Sequence, residues 1–235
     1  MTSKYLLLLP VLAAAPLGAQ QFEGSLNVRI RGDNSAETLD GVMTSKGNRT
    51  AIVFTAPASA GPMAGRDVKV IVDNDAKLAT MLAANPPGIP AMGNMKGVRM
   101  SMKLEDIAGE VRDGMKDVDG ELKKVGTSQT IAGTRCDNYQ FVTKGEKPVN
   151  LCVTSELGHF NLIDPGSMGG ANGGPKWARM IKKGDLFPLK VWTSESDVYF
   201  EVTGVTRKSV PESMFVIPSG YMDASAMMGG MGRRP

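Results

Sequence analysis

The sequence predicts a mainly β (α+β) chain, a curved antiparallel sheet or half-barrel of about ten strands with one or two helices packed on its concave side. Three observations lead there. Short segments alternate apolar and polar residues with a period of two, as in "FEGSLNVRIRG", where Phe22, Gly24, Leu26, Val28 and Ile30 alternate with Glu23, Ser25, Asn27, Arg29 and Arg31. Clusters of glycine, asparagine, aspartate and proline separate these segments. Helical spacing of apolar residues is sustained over only one long stretch, from Leu104 to Leu122.

The chain opens with "MTSKYLLLLPVLAAAPLGAQ", in which Lys4 precedes an apolar run and then small residues. This is the pattern of a secretory leader cleaved after Ala19. The run is shorter than the roughly 18 residues of a spanning helix, and Pro10 and Pro16 interrupt it. No stable membrane span is expected, and the mature chain is placed in the periplasm or the medium, soluble after cleavage. Residues 1–19 are thus a leader, 20–222 a single domain, and 223–235 a Met- and Gly-rich tail expected to be disordered.

After the first strand, Thr38 to Ser45 and Asn48 to Thr55 flank Gly47, which reads as a tight turn. "RDVKVIV" and "KLATML" flank Asp73, Asn74 and Asp75, a second hairpin. These strands form a meander of antiparallel neighbours. Prolines and glycines between Met81 and Met102 forbid a regular element there, so a loop is expected. Leu104, Ile107, Ala108, Val111, Met115, Val118 and Leu122 then fall on one face of an amphipathic helix. Gly109 and Gly114 each cost that helix about 1 kcal/mol against alanine, so it needs a surface to lie on.

Strand patterns resume at Val125 to Ile131, turn at Ala132 and Gly133, and enter "CDNYQFVTKGEKPVNLC". This segment holds the only two cysteines of the chain, Cys136 and Cys152. An even number of cysteines in an exported chain reads first as a disulfide. "TKGEKP" reads as the turn of a hairpin, and a turn centred on Lys144 sets Cys136 directly opposite Cys152, at a Cα separation of about 4.5 to 5.5 Å. A redox motif wants cysteines two residues apart near a helix start, and a zinc site needs ligands that a chain with one histidine does not offer. Beyond this hairpin, a Gly-rich loop precedes a short helix at Lys176 to Lys182. "LFPLKVWT" and "VYFEVTGVT" make a hairpin about Glu195 and Ser196, and "MFVIPSGY" reads as a last strand.

Several function classes are excluded by what the chain lacks. Loss of Lys4 with the leader leaves the basic residues only two in excess of the 24 acidic ones, with no basic run longer than a pair such as the terminal Arg233 and Arg234. That gives no electrostatic footprint for nucleic acid. The only histidine, His159 in "TSELGHF", reads as a strand-end residue, and no nucleophile elbow, metalloprotease helix, P-loop or dinucleotide fingerprint is present. The chain is expected not to be an enzyme and to need no cofactor or resident metal ion. The methionines draw attention: of sixteen, Met92, Met95, Met100 and Met102 cluster at the Pro-rich stretch, and Met227, Met228 and Met231 lie in the tail. Thioether sulfur is a soft ligand suited to monovalent copper. It is equally an adaptable apolar lining for varied partners.

The phrases "TIAGTRCDNYQF", "CVTSELG" and "VTRKSVPESMFVIPSGYM", in that order behind an exported amino terminus and a strand meander, resemble the family catalogued as domain of unknown function 4412. The resemblance runs from about Phe22 to Met222 and implies a fold similar to periplasmic lipoprotein carriers of the LolA and LolB kind. In those proteins a half-barrel lidded by helices holds acyl chains. It carries over no catalytic residues. On the sequence's own parity, Leu26, Val28, Ile30, Val68, Val70 and Val72, beneath a helix carrying Ile107, Val111 and Met115, would line an apolar concavity for a lipid, a lipoprotein acyl chain or another amphipathic ligand. The same residues serve equally as a filled core, which would make the chain an envelope structural or interaction protein without a ligand.

Overall fold

A computed structural model describes residues 22–31, 37–85, 95–104, 120–158, 181 and 186–224. Among them the chain forms a sheet of 13 strands, more than the ten expected. The first six are β1 (Gly24–Arg31), β2 (Thr38–Lys46), β3 (Arg49–Thr55), β4 (Asp67–Asp73), β5 (Leu78–Ala84) and β6 (Gly97–Lys103). The next four are β7 (Gly120–Lys124), β8 (Gln129–Ile131), β9 (Thr134–Thr143) and β10 (Val149–Thr154). Then come β11 (Phe187–Ser194), β12 (Asp197–Arg207) and the short β13 (Tyr221–Asp223). In space the order is β13-β6-β5-β4-β3-β2-β1-β12-β11-β10-β9-β7, with β8 also on β9, so the sheet is curved and not closed.

The meander β1 to β6 follows the expected hairpins. Gly47, at φ 55°, turns β2 into β3. Asp73 caps the β4–β5 turn by accepting the amides of Asp75 and Ala76 at 3.0 and 2.8 Å. The β8–β9 turn has Ala132 and Gly133 at φ 49° and 77°, the left-handed pair that a two-residue hairpin requires. The long-range join is β1 against β12. Thr203 is the extra residue of a bulge there, because Asn27 faces Gly204 while Val28 faces Val202.

The structure corrects five sequence expectations. Met100 and Met102 lie in strand β6 and not in a loop. Leu122 lies in β7, so the helical spacing of 104–122 does not extend to its last member. Residues 105–119 and 176–180, where the helices and their packing on the sheet were expected, fall outside the described residues. The expected strand Val125–Ile131 is interrupted at Gly126, φ 63°, which separates β7 from β8. "MFVIPSGY" is mostly not a strand: Glu212–Phe215 makes a 3-10 turn, and only Tyr221 enters β13. Finally, Gly145, at φ 81°, centres the β9–β10 turn one residue later than expected. Every opposed pair therefore moves by two, and Cys152 faces Asn138. The disulfide still forms, diagonally between neighbours at a Cα separation of 5.4 Å.

Both faces of the β1–β6 half are used. One carries the apolar residues of the alternation. On the other, Ala51, Ile71 and Leu82 form a small cluster with Val210 and Phe215, which come from the segment leaving β12. This segment crosses β3, β4 and β5 and ends as β13, parallel to β6 at the sheet edge. It is strapped down by polar contacts. Glu23 accepts the Val210 amide at 2.7 Å and Lys46 donates to the Val210 carbonyl at 2.9 Å. Glu212 pairs with Arg49 at 2.6 Å and Lys46 at 3.0 Å.

Candidate binding face

The cross-strand register draws the apolar face as continuous rows. One row runs Val205, Leu26, Met43, Ile52, Val70, Met81, Met100 across seven strands. The next runs Val202, Val28, Gly41, Phe54, Val68, Ala83, Val98. Such rows arise because a period of two in each strand, held in register, puts every second side chain on the same face. The sequence-predicted Leu26, Val28, Ile30, Val68, Val70 and Val72 do share that face.

Their burial differs along it. Leu26, Val28, Val68, Val70 and Val72 are 0–2% exposed and already packed, while Ile30 is part-buried. Burying each is worth roughly 1.5–3 kcal/mol to the folded chain. Toward β6 the same face opens. Met81, Val98, Met100, Met102 and Leu104 line this end and are all only part-buried, as are Phe54 and Met63 at the β3–β4 end. Met63, Phe54, Met81 and Leu104 pack against the cluster of Ala56, Val68, Val70, Val72 and Ala79. The predicted Ile107, Val111 and Met115 lie outside the described residues, as do Met92, the tail methionines and His159. Met95 is described but belongs to no strand.

Sequence reasoning missed one residue of this face. Arg66 precedes β4 and pairs with Ala56, whose amide donates to the Arg66 carbonyl at 2.8 Å, while the Arg66 amide donates to the Met63 carbonyl at 3.1 Å. Its number continues the Val68, Val70, Val72 parity, which sets a cation at the end of an apolar row. The signal was present in "RDVKVIV": the arginine occupies an apolar position of the alternation. Its Nε is buried and has no hydrogen-bond partner. A buried donor left unpaired costs about 1–3 kcal/mol.

The opposite face holds an open groove of about 510 Å³, lined by Asn27, Arg29, Asp40, Val42, Val53 and Asp67 among others. Its charges are mutually engaged: Arg29 pairs with Asp40 at 2.8 Å, and Thr55 donates to Asp67 at 3.0 Å. Lys69 faces Val53 and Leu82 across the strands, and burial pushes its ammonium below the ordinary lysine value. A smaller hollow of about 220 Å³ lies by the disulfide, with Arg135, Asp137, Tyr139 and Glu156 in its wall. Lys124 at 2.7 Å and Ser128 at 2.5 Å hold the Asp137 carboxyl below its ordinary value. Asp137 is thus a satisfied acceptor, suited to fixing β7 and β8 against β9.

Comparison with known proteins adds little chemistry. Residues 22–221 match the family described as domain of unknown function (DUF4412). No curated protein matches the sequence. Among solved structures, an uncharacterized conserved protein from Thermus thermophilus aligns with a TM-score of 0.43 at 11% identity, covering 87% of this chain and 91% of that one. PNGF-II aligns with a TM-score of 0.43 at 11% identity, covering 88% of this chain but only 32% of its own. Likenesses this distant carry no argument about activity.

Proposed function

The chain belongs to the DUF4412 family, whose description assigns no activity, so function must be argued from its own residues: we propose an exported, non-enzymatic binding protein. It holds the apolar part of a lipid or other amphipathic ligand against the β4–β6 end of its apolar face. The observation that carries this reading is the change along one registered row, from the fully buried Leu26 and Val70 to the part-buried Met81 and Met100. Apolar side chains kept partly open, several of them unbranched thioethers, suit a ligand of variable shape. Export is supported by the Cys136–Cys152 disulfide, which persists in oxidising compartments.

A second reading is favoured by a different observation. Leu26, Val28, Val68, Val70 and Val72 are packed as a filled core. An envelope structural or interaction protein needs no more than that. Native mass spectrometry of the mature protein, purified gently from its own envelope fraction, separates the two. A reproducible extra mass removed by solvent and identified as an acyl species supports the binding protein. A bare mass, with no uptake when lipids are added back, leaves the structural reading.

A further inference from the structure

We propose that Arg66 is the head-group anchor of this site, and hence that the ligand is an anionic single-chain amphiphile, an acyl or alkyl chain ending in an oxyanion. The inference rests on the binding reading above and goes beyond it by naming the ligand's charge and the residue that selects it.

Position is the first argument. Arg66 stands at the end of the apolar parity of β4, opposite Ala56 and bonded to the backbone of Met63, both members of the apolar cluster's surroundings. A chain lying over the part-buried Phe54, Met63 and Met81 would bring its head to this end of the strand.

The second argument is the state of the guanidinium. Arg29, Arg31, Arg49, Arg99 and Arg207 each pair with an acidic side chain, Asp40, Asp197, Glu212, Asp223 and Glu156 respectively. Among the described residues Arg66 pairs with none, and its buried Nε has no acceptor. The adjacent Asp67 belongs to the opposite parity and accepts from Thr55 at 3.0 Å. Arg99 also has a buried Nε without a partner, but its Nη2 is committed to Asp223 at 3.0 Å.

Chemistry is the third. A guanidinium offers a planar fork of donors that a carboxylate or phosphate fills with two parallel bonds, stronger than neutral hydrogen bonds. A neutral head would leave the fork unfilled. The methionines then accept the chain without selecting its length closely.

The test is a displacement assay on the disulfide-bonded mature protein, with the neutral fluorophore N-phenyl-1-naphthylamine as reporter. The competitors are dodecanoate, dodecyl phosphate and dodecan-1-ol, each below its micellar concentration. At least one oxyanion-headed probe should bind about tenfold tighter than the alcohol, and Arg66→Gln should erase that preference. Which oxyanion is preferred identifies the head as carboxylate or phosphate. Arg66→Lys, which keeps the charge but loses the fork, should show an intermediate preference. Equal binding of all three by the unaltered protein, or a preference that survives Arg66→Gln, would overturn the anchor and leave the binding reading standing. Uptake of none would overturn both. If Arg66→Gln does not fold, Arg66→Lys decides: an undiminished preference refutes the role of the fork, and a reduced one supports it.

Discussion

Replacing Phe215 by alanine tests the idea that the segment after β12 is a structural part of the sheet. Phe215 is 8% exposed and packs with Ala51, Ile71, Leu82 and Val210 on the face opposite the candidate site. Its ring also lies 4.9 Å from the Arg49 guanidinium carbon. Phe→Ala changes in cores cost about 3–5 kcal/mol. A strap can settle partly onto the exposed sheet, so the low end of about 3 kcal/mol is expected, of which the ring–guanidinium contact accounts for about 0.5–1 kcal/mol. Phe215→Leu retains apolar volume and loses that contact, and should cost about 1 kcal/mol. Equilibrium urea unfolding reads both, with the slope of stability against urea as a check on cooperativity. A loss below about 1 kcal/mol for Phe215→Ala, at unchanged slope, would refute the packing argument. A markedly smaller slope would instead mean that the strap unfolds apart from the sheet.

Three further outcomes are expected. The Cys136→Ala/Cys152→Ala double variant should lose about 3 kcal/mol in urea, the loop-closure entropy for a separation of 16 residues, and a loss near zero would contradict that account. Lys46 first and Arg49 second hold the Glu212 carboxyl below its ordinary 4.5, so the stability it contributes is present above pH 4.5 and is lost as pH falls through the folded-state value. Glu212→Gln should therefore be less stable than the parent at pH 7, with the gap closing in acid; a gap independent of pH down to pH 2 would disprove the linkage. Burial lowers the Lys69 ammonium from 10.5, so the folded state is penalised for that charge below its lowered value and the penalty vanishes once lysine is neutral in both states, above about pH 10.5. Lys69→Met should raise the urea midpoint at pH 7 and lose that gain as pH rises past 10.5, whereas a lowered midpoint at neutral pH would count against the desolvation argument.

The amino-terminal meander was legible because its signals are local. Phe22 to Ile30 alternate without exception, Gly47 and Asp73 to Asp75 mark the turns, and the parity that puts Leu26 and Val70 on one face is the one observed. The carboxyl-terminal segment was not, because what fixes it is distant. Phe215 and Ile217 look like strand residues, yet they are drawn onto the strap by the apolar patch of Ala51, Ile71 and Leu82. Nothing near Tyr221 in sequence announces a parallel partner at Gly97. The cysteine hairpin failed by two in register because the glycine's positive φ, and not the middle of the polar cluster, set the centre of the turn. At the site, the apolar rows could be read from parity, and Arg66 stood in the same parity. Its missing partner is a property of three-dimensional packing that no local pattern contains.

The strap also imposes an order of events on the making of the protein. A polypeptide emerges amino end first, so β1 to β6 are complete long before Val210, Phe215 and Tyr221 exist. Throughout that interval Ala51, Ile71 and Leu82 face water, the outer edge of β6 has no neighbour, and β1 waits for β12. Each is a surface on which a second nascent chain can pair or stick. The last strand to be added therefore acts as the molecule's own chaperone contact. A chain that stops before residue 209 would keep the apolar rows of β1 to β6 and still be prone to assemble edge to edge with its neighbours.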